Sequence, residues 1–378
     1  MPNYQSKSLF LLAGEPSGDL HGAHLVAEIK RRHPDWHLWG VGGDKMAAAG
    51  CDLWQNAREW AVMGFVEVLR SIHIFRRRLN DLTREIEQRR PDRVILIDYP
   101  GFNLKLAPRV HRLGIPVMYY VVPQIWAWGR GRLKIFRRHV DRTVVVFPFE
   151  KEFFEQNGVP VDWIGHPLVD IVRPTAERAT LKRRFGVPDG HRLVAMMPGV
   201  RVQDFESHLP LFSETVKLIA ESVPNVHAGI GVSGALAERT QRLTHGPVPL
   251  VMTPDVHDLM AAADVVLTKT GTTTVECALL GTPMVSAYRT GALNFAIARA
   301  LVKVPFIAMP NLIANRRVIP EFVQSAATPE ALAREAIGLL TDEATAQAQR
   351  DGLADVRRRL GAPGAVARAA DLIDTWLA

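Results

Sequence analysis

The sequence is poor in cysteine, in long apolar runs and in metal or nucleic-acid motifs, and each shortage removes a class of protein. Its two cysteines, Cys51 and Cys277, lie far apart, which excludes a disulfide framework and a thiolate metal site and suits a reducing compartment. No stretch approaches the roughly 20 consecutive apolar residues that a membrane span needs. The apolar run at residues 9–13 is too short for the core of a signal peptide and leads directly into Gly14-Glu-Pro-Ser-Gly-Asp19. There is no D-x-D motif to hold a divalent cation on a diphosphate, and no helix-turn-helix, zinc or RNA-binding signature. Hydrophobic residues nonetheless make up 47% of the chain, and nothing in it is of low complexity. A folded chain of 378 residues is too long for one ordinary core, so two domains are expected.

Positive charge is concentrated in the first half. Residues 70–90 hold seven Arg against three acids, and residues 130–138 hold five Lys and Arg against none. Phe75, Trp126, Trp128 and Phe136 stand among or beside them. Basic residues mixed with large apolar ones suit an anionic membrane surface or an anionic lipid. A solvated Arg-rich helix face accounts for the same pattern, and nucleic acid has no supporting motif.

Short apolar runs alternate with helical segments, the pattern of βα units and a parallel sheet. Strands are expected at residues 9–13, 37–41, 93–97, 117–121, 143–147 and 161–164. Helices are expected at 18–31, 72–89, 104–112 and 150–157. After Pro174 the alternation restarts, with strands at 193–197, 226–230, 249–252, 265–267 and 284–287. From Pro329 onward the text is helical. This divides the chain into α/β domains at 1–170 and 171–345, with C-terminal helices at 346–378 packing back toward the first. Two such halves place a cleft between them, where ligands of open parallel sheets bind.

Several residues at strand ends carry chemistry. Asp98 ends the strand Arg93-Val-Ile-Leu-Ile97, facing the ligand crevice, where partial burial would raise its pKa toward that of a general base; capping the turn to Asn103 is the plainer alternative. Glu15, Ser17, Gly18 and Asp19 lie at a strand-to-helix corner that suits polar ligand contact from a helix N-terminus, or is merely a tight capped turn. Thr268-Lys-Thr-Gly-Thr-Thr-Thr-Val-Glu276 opens a helix with Gly271, Thr272 and Thr273 offering amides and hydroxyls to an anion, or merely capping it. Arg201, in Pro198-Gly-Val-Arg201, presents a planar fork of donors suited to phosphate, or is a surface Arg. Gly229-Ile-Gly-Val-Ser-Gly234 with Asp255 is a literal dinucleotide fingerprint, but on the second strand of its domain, whereas the fingerprint belongs on the first. His21 and His24, one turn apart, lack the further ligands that a metal needs.

Read in order, these stretches resemble the lipid-A-disaccharide synthases, inverting glycosyltransferases of the two-Rossmann GT-B type. The matching motifs are Gly14-Glu-Pro-Ser-Gly-Asp19, Ala61-Val-Met-Gly-Phe-Val-Glu-Val68, Asp98-Tyr-Pro-Gly-Phe-Asn103 and Val122-Pro-Gln-Ile-Trp-Ala-Trp128. They continue with Phe147-Pro-Phe-Glu150, Gly165-His-Pro167, Gly271-Thr-Thr-Thr-Val-Glu276 and Met309-Pro-Asn-Leu-Ile-Ala314.

The resemblance implies two Rossmann-like domains facing across a cleft, with a helical C-terminus. It implies transfer of diacylglucosamine from its UDP derivative onto diacylglucosamine 1-phosphate (lipid X), without a metal or other cofactor. Asp98 is the expected base. Arg201, Gly271, Thr272, Thr273, Glu276 and Asn311 are expected to hold the UDP-sugar. Glu15, Ser17, Gly18, Asp19, Met63, Asn103, Gln124, Trp126 and Trp128 are expected along the acceptor. The expected location is cytoplasmic, peripheral on the inner face of the membrane, with room for a homodimer and no nucleic acid. One departure stands out: the family usually has Ser and Glu where this chain has Val200 and Asp204. A UDP-sugar 2-epimerase, a nicotinamide dehydrogenase and a non-catalytic lipid binder are the rivals.

Overall fold

The apolar runs of the first half form a parallel sheet of β1 (Ser8–Ala13), β2 (His37–Gly42), β3 (Asp52–Asn56), β4 (Arg93–Ile97), β5 (Val117–Tyr120), β6 (Arg142–Val145) and β7 (Asp162–Trp163). The connecting helices are α1 (Pro16–Arg32), α2 (Asp44–Ala48), α3 (Ile72–Arg89), α4 (Pro100–Arg112), α5 (Leu133–His139) and α6 (Pro148–Gln156). The second half repeats the plan with β8 (Arg192–Met197), β9 (Val226–Gly231), β10 (Leu250–Thr253), β11 (Val265–Lys269), β12 (Met284–Tyr288) and β13 (Glu321–Val323). Its helices are α7 (Leu168–Ile171), α8 (Arg178–Arg184), α9 (Val202–Ser222), α10 (Val256–Ala262), α11 (Thr272–Leu280), α12 (Met309–Ala314), α13 (Pro329–Thr341) and α14 (Glu343–Arg359). A final helix, α15 (Ala365–Leu377), follows. The structure is a computed structural model that describes residues 6–59, 72–127, 129–232, 236–237, 240, 248–291, 295, 299 and 304–377.

The strand orders are β3-β2-β1-β4-β5-β6-β7 and β10-β9-β8-β11-β12-β13. All pairings are parallel, and helices covering both faces explain why the central strands read as unbroken apolar runs. Each order reverses direction once, between β1 and β4 and between β8 and β11. Ligands of such sheets bind at that switch point, beyond the C-terminal strand ends.

A recurrent aspartate pins the registers. Asp92, just before β4, donates its amide to Ser8 O (2.7 Å) and accepts the Ser8 amide on Oδ2 (2.8 Å). Asp264, just before β11, does the same with Leu193 (2.8 and 2.7 Å), and Asp141, before β6, with Val117 (2.8 Å each). Asp264 is further held by Arg178 (2.6 Å) and Lys182 (2.7 Å). In the same sheet Gly40 (φ +150°) lies against β1, where a Cβ would sit 2.0 Å from Leu11 O, so only glycine fits.

The chain divides into two compact units, Met1–Pro167 with Ala362–Ala378, and Leu168–Gly361. Helix α14 belongs to the second unit rather than to a separate C-terminal segment beginning at residue 346. Its Gln349 Oε1 accepts the Met284 amide at the start of β12 (2.6 Å), and Leu353 and Val356 are buried. Only α15 belongs with the first unit. There Arg32 of α1 pairs with Asp371 (2.6 Å) and Asp374 (2.9 Å), and Arg93 donates to Trp376 O (2.7 Å).

Candidate active site

In the first unit the switch-point strands end at Ala13 and Ile97. The two residues after Ile97, Asp98 (φ 47°) and Tyr99 (φ 46°), both adopt the left-handed conformation, which costs roughly 1–2 kcal/mol per non-glycine residue. Such strain persists only where the surroundings enforce it. Here Tyr119 Oη (2.6 Å) and Asn103 Nδ2 (2.8 Å) both donate to Asp98 O, and the Asp98 amide donates to Tyr120 O (3.2 Å). The Tyr99 ring lies so close over Gly14 that a Cβ there would sit 2.2 Å from Cδ1. The kinked backbone turns the Asp98 carboxyl toward the first turn of α1, where it accepts a hydrogen bond from the Ser17 hydroxyl. Burial, and then the charge of Glu15, raise the Asp98 pKa from 3.8 to about 6, against the opposing pull of the Tyr99 amide and Ser17.

Glu15, Ser17 and Asp98 thus share one corner. The other expected acceptor residues are distributed differently. Asn103 is fully buried beneath Asp98 and grips its backbone. Asp19 is turned away: its carboxylate accepts the amides of Gly43 (2.7 Å), Met46 (3.1 Å) and Lys45 (3.2 Å), fixing the start of α2. Gly18 is buried in the first turn of α1, and Gln124 is exposed. Trp126 Nε1 donates to Glu150 (3.1 Å), a fully buried carboxyl that also accepts the Phe147 amide and whose pKa burial raises to about 8. Met63 and Trp128 lie outside the described residues.

In the second unit the loops after β8 and β11 carry the other motifs. Gly271 N-caps α11, and Thr274 donates both its amide (3.1 Å) and its hydroxyl (2.7 Å) back to Gly271 O. The amides of Thr272 and Thr273 therefore head a nine-residue helix at the positive end of its dipole. A Cβ on Gly271 would meet no protein atom within 4 Å, so nothing inside the unit requires glycine there. Glu276 stands one turn on, with His257 Nε2 at 3.4 Å, and the carboxylate holds that imidazole above its usual pKa.

Arg201 N-caps α9 at the end of the loop from β8, flanked by the exposed Val200 and Val202. Asp204, in the first turn of α9, pairs with Lys269 at the end of β11 (3.1 Å). Asn311 is wholly buried. Its amide donates to Ile319 O and Glu321, and its Oδ1 accepts the amides of Val318 (2.7 Å) and Ile319 (2.9 Å). It orders residues 318–321 from within.

The dinucleotide fingerprint has a packing explanation. A Cβ on Gly229 would meet Leu259 Cδ1 at 2.5 Å, and one on Gly231 would meet Met197 Sδ at 2.6 Å, so both glycines make room for neighbouring side chains. Among the described residues no group of three or more His, Cys, Asp or Glu is clustered as a metal site.

The raised pKa of Asp98 makes a stability prediction. A carboxyl whose folded pKa lies above its unfolded value contributes stability below pH 3.8 that is lost as pH rises through about 6. Asp98→Asn removes the cost of the buried charge. Its stability relative to wild type is expected to rise by up to about 3 kcal/mol between pH 4 and 7 and to stay level above, read by urea unfolding across pH. A difference independent of pH would contradict the perturbed carboxyl.

Comparison with known proteins identifies the family and the fold. The family model described as lipid-A-disaccharide synthetase matches residues 9–369. A lipid-A-disaccharide synthase of Geobacter sulfurreducens is 39% identical over 376 residues, 99% of this chain and 98% of the relative. Among solved structures, the calicheamicin glycosyltransferase CalG4 aligns with a TM-score of 0.63 at 17% identity, covering 99% of this chain and 98% of that one. A UDP-GlcNAc 2-epimerase from Neisseria meningitidis, bound to UDP-GlcNAc, aligns with a TM-score of 0.65 at 12% identity, covering 98% and 100%. These two share the fold. Sequence identity across almost the whole length, with both switch points carrying the motifs, makes the chain a member of the lipid-A-disaccharide synthase family.

Proposed function

We propose that the chain transfers a 2,3-diacylglucosamine unit from UDP-2,3-diacylglucosamine to 2,3-diacylglucosamine 1-phosphate, forming the β-1′,6-linked disaccharide 1-phosphate and UDP. The observation that carries this reading is the chemistry at the two switch points: a carboxyl with a pKa of about 6 in one unit, and an arginine beside a helix N-terminus in the other. Asp98 takes the proton of the acceptor 6-hydroxyl as its oxygen attacks the anomeric carbon. The bond from that carbon to the diphosphate oxygen breaks in line, its electron pair leaves with UDP, and the configuration inverts. A base with a pKa near 6 is ionised at neutral pH yet basic enough to accept a proton as the bond forms.

On the donor side the Thr272 and Thr273 amides and Arg201 stabilise the charge that develops on the departing diphosphate, so the reaction needs no resident metal or cofactor. Glu276, oriented by His257, receives the ribose hydroxyls. Asn311 acts indirectly, through the segment it orders. On the acceptor side Glu15 and Ser17 border Asp98, while Asn103 and Tyr119 hold its strained backbone; Gln124 and Trp126 are assigned to the acceptor by the family motif that they belong to.

Peripheral contact with an anionic membrane surface, on the cytoplasmic face, completes the reading. Among the described residues no helix is long and apolar enough to cross a membrane. Helix α3 exposes Arg76, Arg77 and Arg84, with Ile74 about half exposed, the mixture that suits anionic headgroups. Replacing the three arginines by Gln is expected to abolish cosedimentation with phosphatidylglycerol vesicles at low salt; unchanged cosedimentation would refute this contact.

The enzymatic test is incubation with UDP-diacylglucosamine, with and without the acylated sugar 1-phosphate, following UDP. Release is expected only with the acceptor and is expected to be unaffected by EDTA. Release without acceptor would favour the epimerase chemistry of a fold relative, and binding without turnover a lipid-binding protein. Asp98→Asn is expected to lower turnover by ~10²-fold or more while UDP still binds, and wild-type kcat/KM should fall below pH ~6. Near-normal turnover of the variant would remove Asp98 as the base.

A further inference from the structure

Lys269 closes β11 two residues before Gly271, and its side chain spans the C-terminal end of the second unit's sheet. Its ammonium lies 3.1 Å from Asp204 Oδ2, in the helix that follows β8, and 5.7 Å from the centre of the Tyr288 ring, which ends β12. One lysine therefore touches elements issuing from β8 and β12 while rooted in β11, so it sits at the switch point itself. Asp204 is backed by Gly199, where a Cβ would come within 3.0 Å of the Asp204 Cβ.

His208 holds the far side of this cluster. Its Nδ1 donates to Asp204 O (2.7 Å), and its Nε2 accepts the Arg289 amide (3.0 Å). Both ring nitrogens are thereby committed to one neutral tautomer, so the imidazole is a fixed spacer and the mobile charge is the lysine's.

The Lys269 and Asp204 side chains stay 22% and 24% exposed. The pair is partly buried yet still reached by solvent, so an anionic ligand can reach the ammonium as well. A lysine is well suited to the place. Its ammonium is a compact charge with three donors on a flexible stem, able to turn from a carboxylate to a phosphate without moving the backbone.

We infer that Lys269 is a donor-site cation: its ammonium contacts the diphosphate of the bound UDP-sugar in place of Asp204, its partner at the strand end. This rests on the donor reading above. Lys269 then joins Arg201 and the α11 amides in drawing charge onto the leaving group, while Asp204, shorter by one methylene than the Glu usual in the family, competes with the diphosphate for the ammonium.

Titration calorimetry of the full chain with UDP and, separately, with uridine tests this. Three variants are compared after thermal melting has verified folding: Lys269→Met, which keeps the stem and removes the charge; Lys269→Arg; and Asp204→Asn. Lys269→Met is expected to weaken UDP binding about tenfold and leave uridine binding unchanged, because only the charged contact is lost. Lys269→Arg should retain most of the UDP affinity. Asp204→Asn should bind UDP at least as tightly as wild type, because the competing carboxylate is gone. The inference falls if Lys269→Met binds UDP within twofold of wild type, or if Asp204→Asn weakens UDP as much as Lys269→Met does, which would make the pair a structural link. A wild-type chain that binds neither UDP nor uridine would remove the donor reading itself, and the inference with it.

Discussion

The carboxylate of Asp92 holds the first amide of β1 while its own amide returns to the same residue, and Asp264 does the same for Leu193 in β8. Hydrogen bonds to charged acceptors contribute about 1.5–3 kcal/mol each, enough to favour one register over its neighbours. The strand pairs so pinned are the two that flank the switch points, β1/β4 and β8/β11. Their registers decide where the strands end, and so where Asp98, Gly14, Arg201 and Gly271 stand. A slip of one residue would reverse every side chain along the strand and carry Asp98 out of its corner.

The two units put this common frame to opposite electrostatic use. In the first, the strand-end backbone is bent through two left-handed residues so that a carboxyl lies half-buried beside another acid and resists ionisation. In the second, a helix start, an arginine and a lysine gather at the corresponding strand ends. On the proposed reading one switch point accepts a proton and the other receives negative charge, which is the division of labour that an inverting sugar transfer requires.

Much of this was legible in the sequence. The central strands could be read because helices cover both their faces, leaving continuous apolar runs, and Asp98 could be singled out because it ends such a run. The edge strands β3 and β13 escaped, since Asp-Leu-Trp-Gln-Asn and Glu-Phe-Val are only partly buried and carry no apolar run. The aspartate clips escaped because an Asp before a strand reads as a turn residue. Motif membership also could not tell a residue that faces a ligand from one that supports it: Asp19, Asn103 and Asn311 each spend their side chains on backbone groups. Lys269 and Asp204 lie 65 positions apart, a pairing that no local pattern encodes.

The loops that follow β8 and β11 are proposed to form the UDP site of the second unit. Hydrogen exchange by mass spectrometry, with and without UDP, measures it most directly. UDP is expected to protect amides in residues 198–204 and 269–276. Protection confined to residues 229–232, or to 14–19 of the first unit, would contradict it.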